Sequence, residues 1–333
     1  MPTPVDLALI GYGSVARALA RLIDRKRNDF PFRIAAVHTA RHGTAYSPDG
    51  LPLDPPFGPA AATVEEFLTT ARLATRQAPV CVELSTLNPG TGEPAIRHVR
   101  AALERGMHVV TANKGPIAHA YAALHEEACR RGLLFRFEAA VMDGTPIFNL
   151  IRHTQPGVRV LGFTGVLNST SKIVVETMER GGSFDDGVKE AQRLGIAEAD
   201  ATYDTDGWDS AAKTAALANV LMDARTTPQA VSTRGIGRLT IQRVQELARQ
   251  GKTVRLVSRA KSGVNGISLR VRAEVLDKTD LLACVGGTSN LLLFHTDLMG
   301  TFGAVSIAPG VDQTAYGVFA DLVDVARAMG YTH

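Results

Sequence analysis

The sequence predicts an α/β protein in two parts: a doubly wound parallel sheet, then an α+β domain. Three observations predict it. From residue 6 to residue 137, apolar runs of strand length alternate with stretches of helical periodicity. A glycine-rich turn joins the first such run to the first helical stretch. Beyond about residue 138 the alternation stops, and strand-like runs follow one another without helices between them. A chain of 333 residues is long enough for two cores.

Residues 6–10 (DLALI) are apolar and bounded by glycine, as a strand buried on both faces should be. Residues 14–27 have helical spacing and finish in basic residues, which suit the negative end of a helix. Residues 33–38 are the second strand. Residues 41–60, rich in Gly and Pro, read as a surface loop. The pattern then repeats: strand 80–84, helix 93–105, strand 107–111, helix 116–131, strand 133–137. In the second part, a strand at 160–167 precedes helices at 170–180, 184–194 and 209–223. Strands follow near 253–260, 267–275, 290–295 and 301–307, and a last helix covers 312–329.

Composition excludes several classes. Hydrophobic residues make up 45% and charged residues 21%, so the chain is not disordered. A net charge of +3, without a basic block, gives no nucleic-acid footprint. Cys81, Cys129 and Cys284 are odd in number and lack CxxC spacing, so they read as reduced thiols. The histidines show no HxH or HExxH pattern, which leaves no transition-metal signature. The N-terminus lacks a basic region and its apolar run is broken by Gly11 and Gly13, unlike a signal peptide. No apolar window reaches the ~18 residues of a membrane span. The expected location is the cytoplasm.

Gly11-Tyr12-Gly13-Ser14-Val15-Ala16 matches G-x-G-x-x-G/A directly after a strand and at the opening of a helix. Gly11 permits the turn, Gly13 lets the backbone approach a pyrophosphate, and Ala16 lets helix and strand pack closely. The helix N-terminus offers N–H groups to phosphates. The first part is therefore expected to be a Rossmann-type dinucleotide-binding domain. The second strand ends at His38-Thr39, without the acid that usually holds the ribose hydroxyls of NAD. Arg41 follows, either facing a 2′-phosphate or solvated on a loop. The cofactor reading is NADP, with NAD as the alternative.

Lys114 lies in Thr111-Ala112-Asn113-Lys114, at the carboxyl end of a strand where open α/β sheets bind ligands. It is either a substrate-side lysine or an exposed helix-start lysine. Residues 194–213 carry Glu198, Asp200, Asp204, Asp206 and Asp209, then Lys213. Asp209 and Lys213 are four apart on a helix and share a face. Either Asp209 caps that helix and pairs with Lys213 at the surface, or the pair is functional. The apolar run TAALANVLM beyond them favours function, because a solvated face is scarce there.

At this point a family comes into view. VVTANKGP at 109–116, EAAVMDGTPIF at 138–148, GVLNSTSKI at 165–173, LGIAEADATYDTDGWDSAAKTAALAN at 194–219 and PGVDQTAYGVFADLV at 309–323, behind the fingerprint, resemble homoserine dehydrogenases along nearly the whole chain. The resemblance implies reversible reduction of aspartate 4-semialdehyde to L-homoserine, in threonine and methionine biosynthesis. It implies Lys213 as the acid that protonates the alkoxide left by hydride transfer, with Lys114 as its companion. Glu198 would hold the substrate ammonium. Asp209, Asp204 and Asn168 would bind substrate or orient Lys213. Cofactor contacts would come from Gly11, Gly13, Ser14, Val15, Thr86, Asn113, Lys114 and Gly310. Glu138, Val141, Asp143 and Thr145 would surround a monovalent cation such as sodium. The domains implied are 1–137 with 308–333 for the dinucleotide, and 138–307 for substrate binding, catalysis and dimerisation as a homodimer.

The chain departs from the family pattern in places. Asn168 to Val175 stands where the family usually has NGTTNYIL, so the glycine and the aromatic are gone. Met142 and Asp143 follow Val141 where Gly or Ala is common, and Asp143 either strengthens the cation site or replaces it. The last residue is 333, so neither a kinase domain nor a regulatory domain is expected, nor the threonine control they provide. Two further readings compete: a related amino-acid dehydrogenase with changed substrate choice, and a non-catalytic NADP sensor. The presence of Lys114, Lys213, Glu198 and Asp209 together argues against the sensor, which needs only the fingerprint.

Overall fold

An unbroken apolar run cannot face water on either side, and Val5–Ile10 (β1) is buried along its whole length in the computed structural model. The described residues are 4–75 and 79–331. Residues 1–3, 76–78 and 332–333 lie outside them, and with them the two ends of the expected dinucleotide domain. The chain divides into two compact units, Met1–Pro146 with Gly310–His333, and Ile147–Pro309.

In the first unit β1 leads through the glycine turn into Ser14–Arg25 (α1) and Phe32–Thr39 (β2). Gly43–Tyr46 (β3) then pairs antiparallel with β2, so the stretch read as a loop contains an edge strand. The Gly-rich flanks hid it: only four residues pair, too few for an alternating pattern to stand out. Val64–Ala74 (α2), capped by Thr63, went unassigned in the sequence. Val80–Glu83 (β4), Ala95–Glu104 (α3), Val109–Thr111 (β5), Lys114–Arg130 (α4) and Phe135–Arg136 (β6) complete the alternation. The sheet order is β3-β2-β1-β4-β5-β6. Because β1 pairs with both β2 and β4, the winding reverses there, and the crevice at their carboxyl ends is a topological switch point.

The second unit contains Phe148–Thr154 (α5), Val160–Val166 (β7), Ser169–Glu179 (α6), Phe184–Arg193 (α7), Thr202–Thr205 (α8) and Trp208–Met222 (α9). Ser232–Arg234 (β8), Ile241–Arg249 (α10), Lys252–Gly263 (β9), Gly266–Asp277 (β10), Asn290–Thr296 (β11) and Thr301–Ser306 (β12) follow. Its sheet runs β12-β11-β7-β9-β10-β8, antiparallel except for β8 on β10. Helix α9 is buried over most of its surface, as its apolar sequence requires.

Val311–Ala328 (α11) belongs to the first unit, where Val318, Leu322 and Val325 join the core that also holds Leu7, Leu9 and Leu19. Gly144 makes this docking possible. A Cβ there would fall 1.9 Å from the Gln313 carbonyl oxygen, so only glycine lets the two backbones approach. Among the described residues no helix is long and apolar enough to cross a membrane.

Candidate functional site

The glycine turn has the geometry a dinucleotide needs. Gly11 has φ +94°, and a Cβ on it would fall 2.4 Å from the Leu84 carbonyl oxygen. Gly13 is the N-cap of α1, has no side-chain cap, and would meet nothing within 4 Å of a Cβ. The space above it is thus a cradle that any side chain would fill, as the close approach of a pyrophosphate requires. Ser14, Arg17 and Arg21 line a cavity of about 550 Å³ with Gly310, Asp312 and Gln313. Two helix N-termini, those of α1 and α11, therefore face one opening, with Gly310 as the second N-cap. Val15 packs against the core of this unit.

A second cavity, of about 490 Å³, lies over Gly11 and Gly13 and takes in Thr86, His38, Arg41 and His98. Behind Ser85 and His98, which line it, Glu83 is fully buried. Its carboxylate accepts from Ser85 N (3.0 Å), Ser85 Oγ, Thr111 Oγ1 (2.9 Å) and the His98 ring 3.3 Å away. Asn113 is buried and works for the backbone. Its Oδ1 accepts from Gly115 N at 2.9 Å, capping α4, and its Nδ2 donates to the Ser85 carbonyl at 3.3 Å. Lys114 is the first residue of α4 and is half-buried.

In the second unit, Asp204, Asp209 and Lys213 come together around Asn168, while Glu198 does not join them. This residue is the N-cap of α6, accepting from Ser171 N at 2.8 Å. Its Nδ2 donates to Asp204 Oδ1 (2.7 Å) and to Asp209 Oδ2 (3.0 Å), so one amide group bridges two carboxylates. Thr170 Oγ1 donates to the other oxygen of Asp204 at 3.0 Å. Lys213 Nζ lies 2.9 Å from Asp209 Oδ2 and donates to the Leu167 carbonyl at 2.7 Å.

The Asp209–Lys213 pair is not a capping pair at the surface. Gly207, in the left-handed region at φ +89°, is the N-cap of α9, and Asp209 sits inside the first turn. At 7% exposure Asp209 is not a surface cap. Burial raises the Asp204 pKa above its ordinary value, and the Asp209 charge raises it further. Burial also pushes the Tyr203 hydroxyl upward, helped by Asp209 and Asp204. Tyr203, Thr170 and the Leu167 carbonyl were not singled out from the sequence, although all three stand in or beside the segments quoted above. Glu198 stands exposed on the connection between α7 and α8. Its carbonyl accepts from Gln192 Nε2 at 3.1 Å, and among the described residues its carboxylate has no partner.

Replacing Asn168 by Ala is expected to cost about 2–3 kcal/mol of unfolding free energy, since two buried carboxylates and the α6 cap lose their partner together. Urea denaturation measures this, and a loss under about 0.5 kcal/mol would mean that water replaces the amide.

Lys172 lies in the departing segment and is fully buried, at 1% exposure. Its Nζ donates to Asn290 Oδ1 at 3.1 Å. Burial first, then the charges of Lys213 and Arg255, lower its pKa from 10.5 to about 7.

Glu138, Val141, Asp143 and Thr145 lie in one stretch of the first unit. Glu138 opens a 3₁₀ turn and its N–H donates to Asp321 Oδ2 at 2.7 Å. Met142 and Asp143 both have positive φ, 58° and 59°, a left-handed conformation that glycine and aspartate adopt more readily than methionine does. Asp143 Oδ1 accepts from Thr314 Oγ1 at 3.3 Å.

A switch-point crevice beneath a glycine cradle, and a second unit with a buried lysine–carboxylate cluster, define a dinucleotide-dependent oxidoreductase. Family models agree and go further: a homoserine dehydrogenase NAD-binding domain matches residues 11–138, and a homoserine dehydrogenase domain matches residues 146–323. The chain belongs to the homoserine dehydrogenase family. It is 35% identical to an NAD(+)-dependent homoserine dehydrogenase of Pseudomonas canavaninivorans over 98% of this chain and 97% of that protein. It is 33% identical to the homoserine dehydrogenase of Methanocaldococcus jannaschii over 96% of this chain and 98% of that protein. Among solved structures, a homoserine dehydrogenase from Thiobacillus denitrificans superposes with a TM-score of 0.85 at 29% identity, covering 98% of this chain and 74% of that one.

Proposed function

We propose that the chain interconverts L-aspartate 4-semialdehyde and L-homoserine with NADP as the preferred dinucleotide. The observation that carries this is the cluster of Asn168, Asp204, Asp209 and Lys213, a lysine held in place by a carboxylate and a carbonyl inside a buried hydrogen-bond network. The bound dinucleotide supplies or accepts the hydride. Lys213 gives a proton to the aldehyde oxygen as hydride arrives, and takes the hydroxyl proton in the reverse direction. Asp209 orients Lys213, and Asn168 keeps Asp209 and Asp204 in place. Glu198, exposed and unpaired among the described residues, is suited to hold the substrate ammonium. Lys114 is the companion lysine on the dinucleotide side. The first unit thus serves the dinucleotide and the second the substrate.

Arg41 supports the NADP preference. It lines the crevice just beyond β2, and among the described residues no carboxylate lines the same cavity. Replacing Arg41 by Ala is expected to lower kcat/KM for NADP+ about 10–100-fold, the worth of a charge-assisted contact to a phosphate, and to leave NAD+ nearly unchanged. Steady-state kinetics with both dinucleotides tests this. Equal losses would move the assignment to NAD, which the name of the Pseudomonas canavaninivorans relative favours.

The turn at 138–145 is proposed to hold a monovalent cation such as sodium through main-chain oxygens. A sodium titration of activity against a choline background tests that site. Exposed Leu161, Val305 and Ile307 in the strand-rich unit support a homodimer. Light scattering at micromolar concentration should return twice the chain mass. The cytoplasm is the proposed location.

A further inference from the structure

Imidazoles gather where the cofactor's adenosine ribose belongs, at the end of the second strand of the sheet. His38 is the next-to-last residue of β2, Arg41 and His42 follow the strand, and His98 reaches the same cavity from α3. Imidazole is the side chain that ordinarily changes charge between pH 5 and 8. The three are not equivalent. His38 Nδ1 lies 3.0 Å from Thr44 Oγ1 and its ring stacks on Phe67, with centroids 5.2 Å apart. Burial, then the neighbouring His98, lowers its pKa, so His38 favours the neutral form. His42 is exposed, its ring 5.9 Å from that of Phe57. His98 faces Glu83, whose carboxylate also receives the donors of Ser85 and Thr111. From α1, Arg17 lies over the Tyr12 ring and pairs with Asp54 at 3.3 Å. Among the described residues, no carboxylate lines the cavity wall itself.

We propose that His42 and His98 join Arg41 in a pH-adjustable clamp for a ribose 2′-phosphate, so that the preference for the phosphorylated dinucleotide strengthens as pH falls. This rests on the NADP reading above. An imidazolium that came within about 4 Å of a phosphate charge would add about fivefold in affinity even at the dielectric of water. The phosphate itself gains a proton near pH 6, which opposes the effect, but equally in wild type and variants.

Calorimetric titration of the whole 333-residue chain with adenosine 2′,5′-bisphosphate and with 5′-AMP separates the contributions, since the ligands differ only in the 2′-phosphate. The ratio of the Kd for 5′-AMP to that for the bisphosphate should rise at least about fivefold between pH 8 and pH 6 in wild type. It should stay flat or fall in the His42→Gln, His98→Gln double variant. His42→Gln alone, at an exposed position, should remove part of the rise and guards against misfolding of the double variant. A wild-type ratio well above one that follows the same pH course as both variants overturns the clamp and leaves the NADP reading standing. A ratio near one at every pH overturns both.

Discussion

Replacing Lys213 by Ala is expected to lower turnover of L-homoserine at least about a hundredfold, the usual loss when a positioned acid–base group is removed. Wild-type homoserine oxidation should rise toward alkaline pH, because the proton acceptor is the neutral amine, and the residual activity of the variant should lack that rise. The substitution also leaves Asp209 buried without its lysine, and removing one partner of a buried pair destabilises by about 3–5 kcal/mol. Lys213→Arg separates the two effects. It keeps the charge and the pairing, but a guanidinium does not give up its proton in this pH range. Both variants should therefore lose turnover, while Lys213→Arg keeps the wild-type melting temperature within a few degrees. Lys213→Arg with more than about a tenth of wild-type turnover would remove Lys213 from proton transfer.

The second large effect concerns stability. Replacing Lys172 by Met should raise the unfolding free energy at neutral pH by a few kcal/mol. A lysine that titrates near 10.5 when unfolded and at about 7 when folded costs about 4–5 kcal/mol at pH 7. Methionine fills nearly the same space without the charge, and the loss of the partner of Asn290 offsets about 1–3 kcal/mol. The sign in pH follows from proton binding. Between pH 7 and 10.5 the unfolded chain holds the lysine proton and the folded chain does not, so this residue makes stability rise with pH across that window. The difference between variant and wild type should be largest at or below pH 7 and shrink toward pH 10. Urea denaturation at several pH values measures it. A difference independent of pH, or a net loss, would mean that Lys172 keeps its proton through contacts other than Asn290.

How much was legible without coordinates follows from how local each feature is. The β1–turn–α1 unit was legible because glycine at positions 11 and 13 and the apolar run before them act through the backbone within a dozen residues. The spacing of Asp209 and Lys213 likewise placed both on one helix face. The short β3 strand was not legible, because an edge pairing of four residues takes its stability from the neighbouring strand.

The sequence by itself determined the alternation of β1, α1, β2, β4, α3, β5, α4 and β6, the glycine cradle, and the family through motifs met in a fixed order. The tertiary structure alone decided that Asn168 bridges Asp204 and Asp209, 36 and 41 residues away, and that Asp209 is no surface cap. It alone decided that Lys172, unremarkable in the sequence, is enclosed beside the Lys213 charge. The reason is physical. Helical phase and turn conformation are set by neighbouring residues, whereas desolvation and charge coupling depend on which distant surfaces close over a side chain.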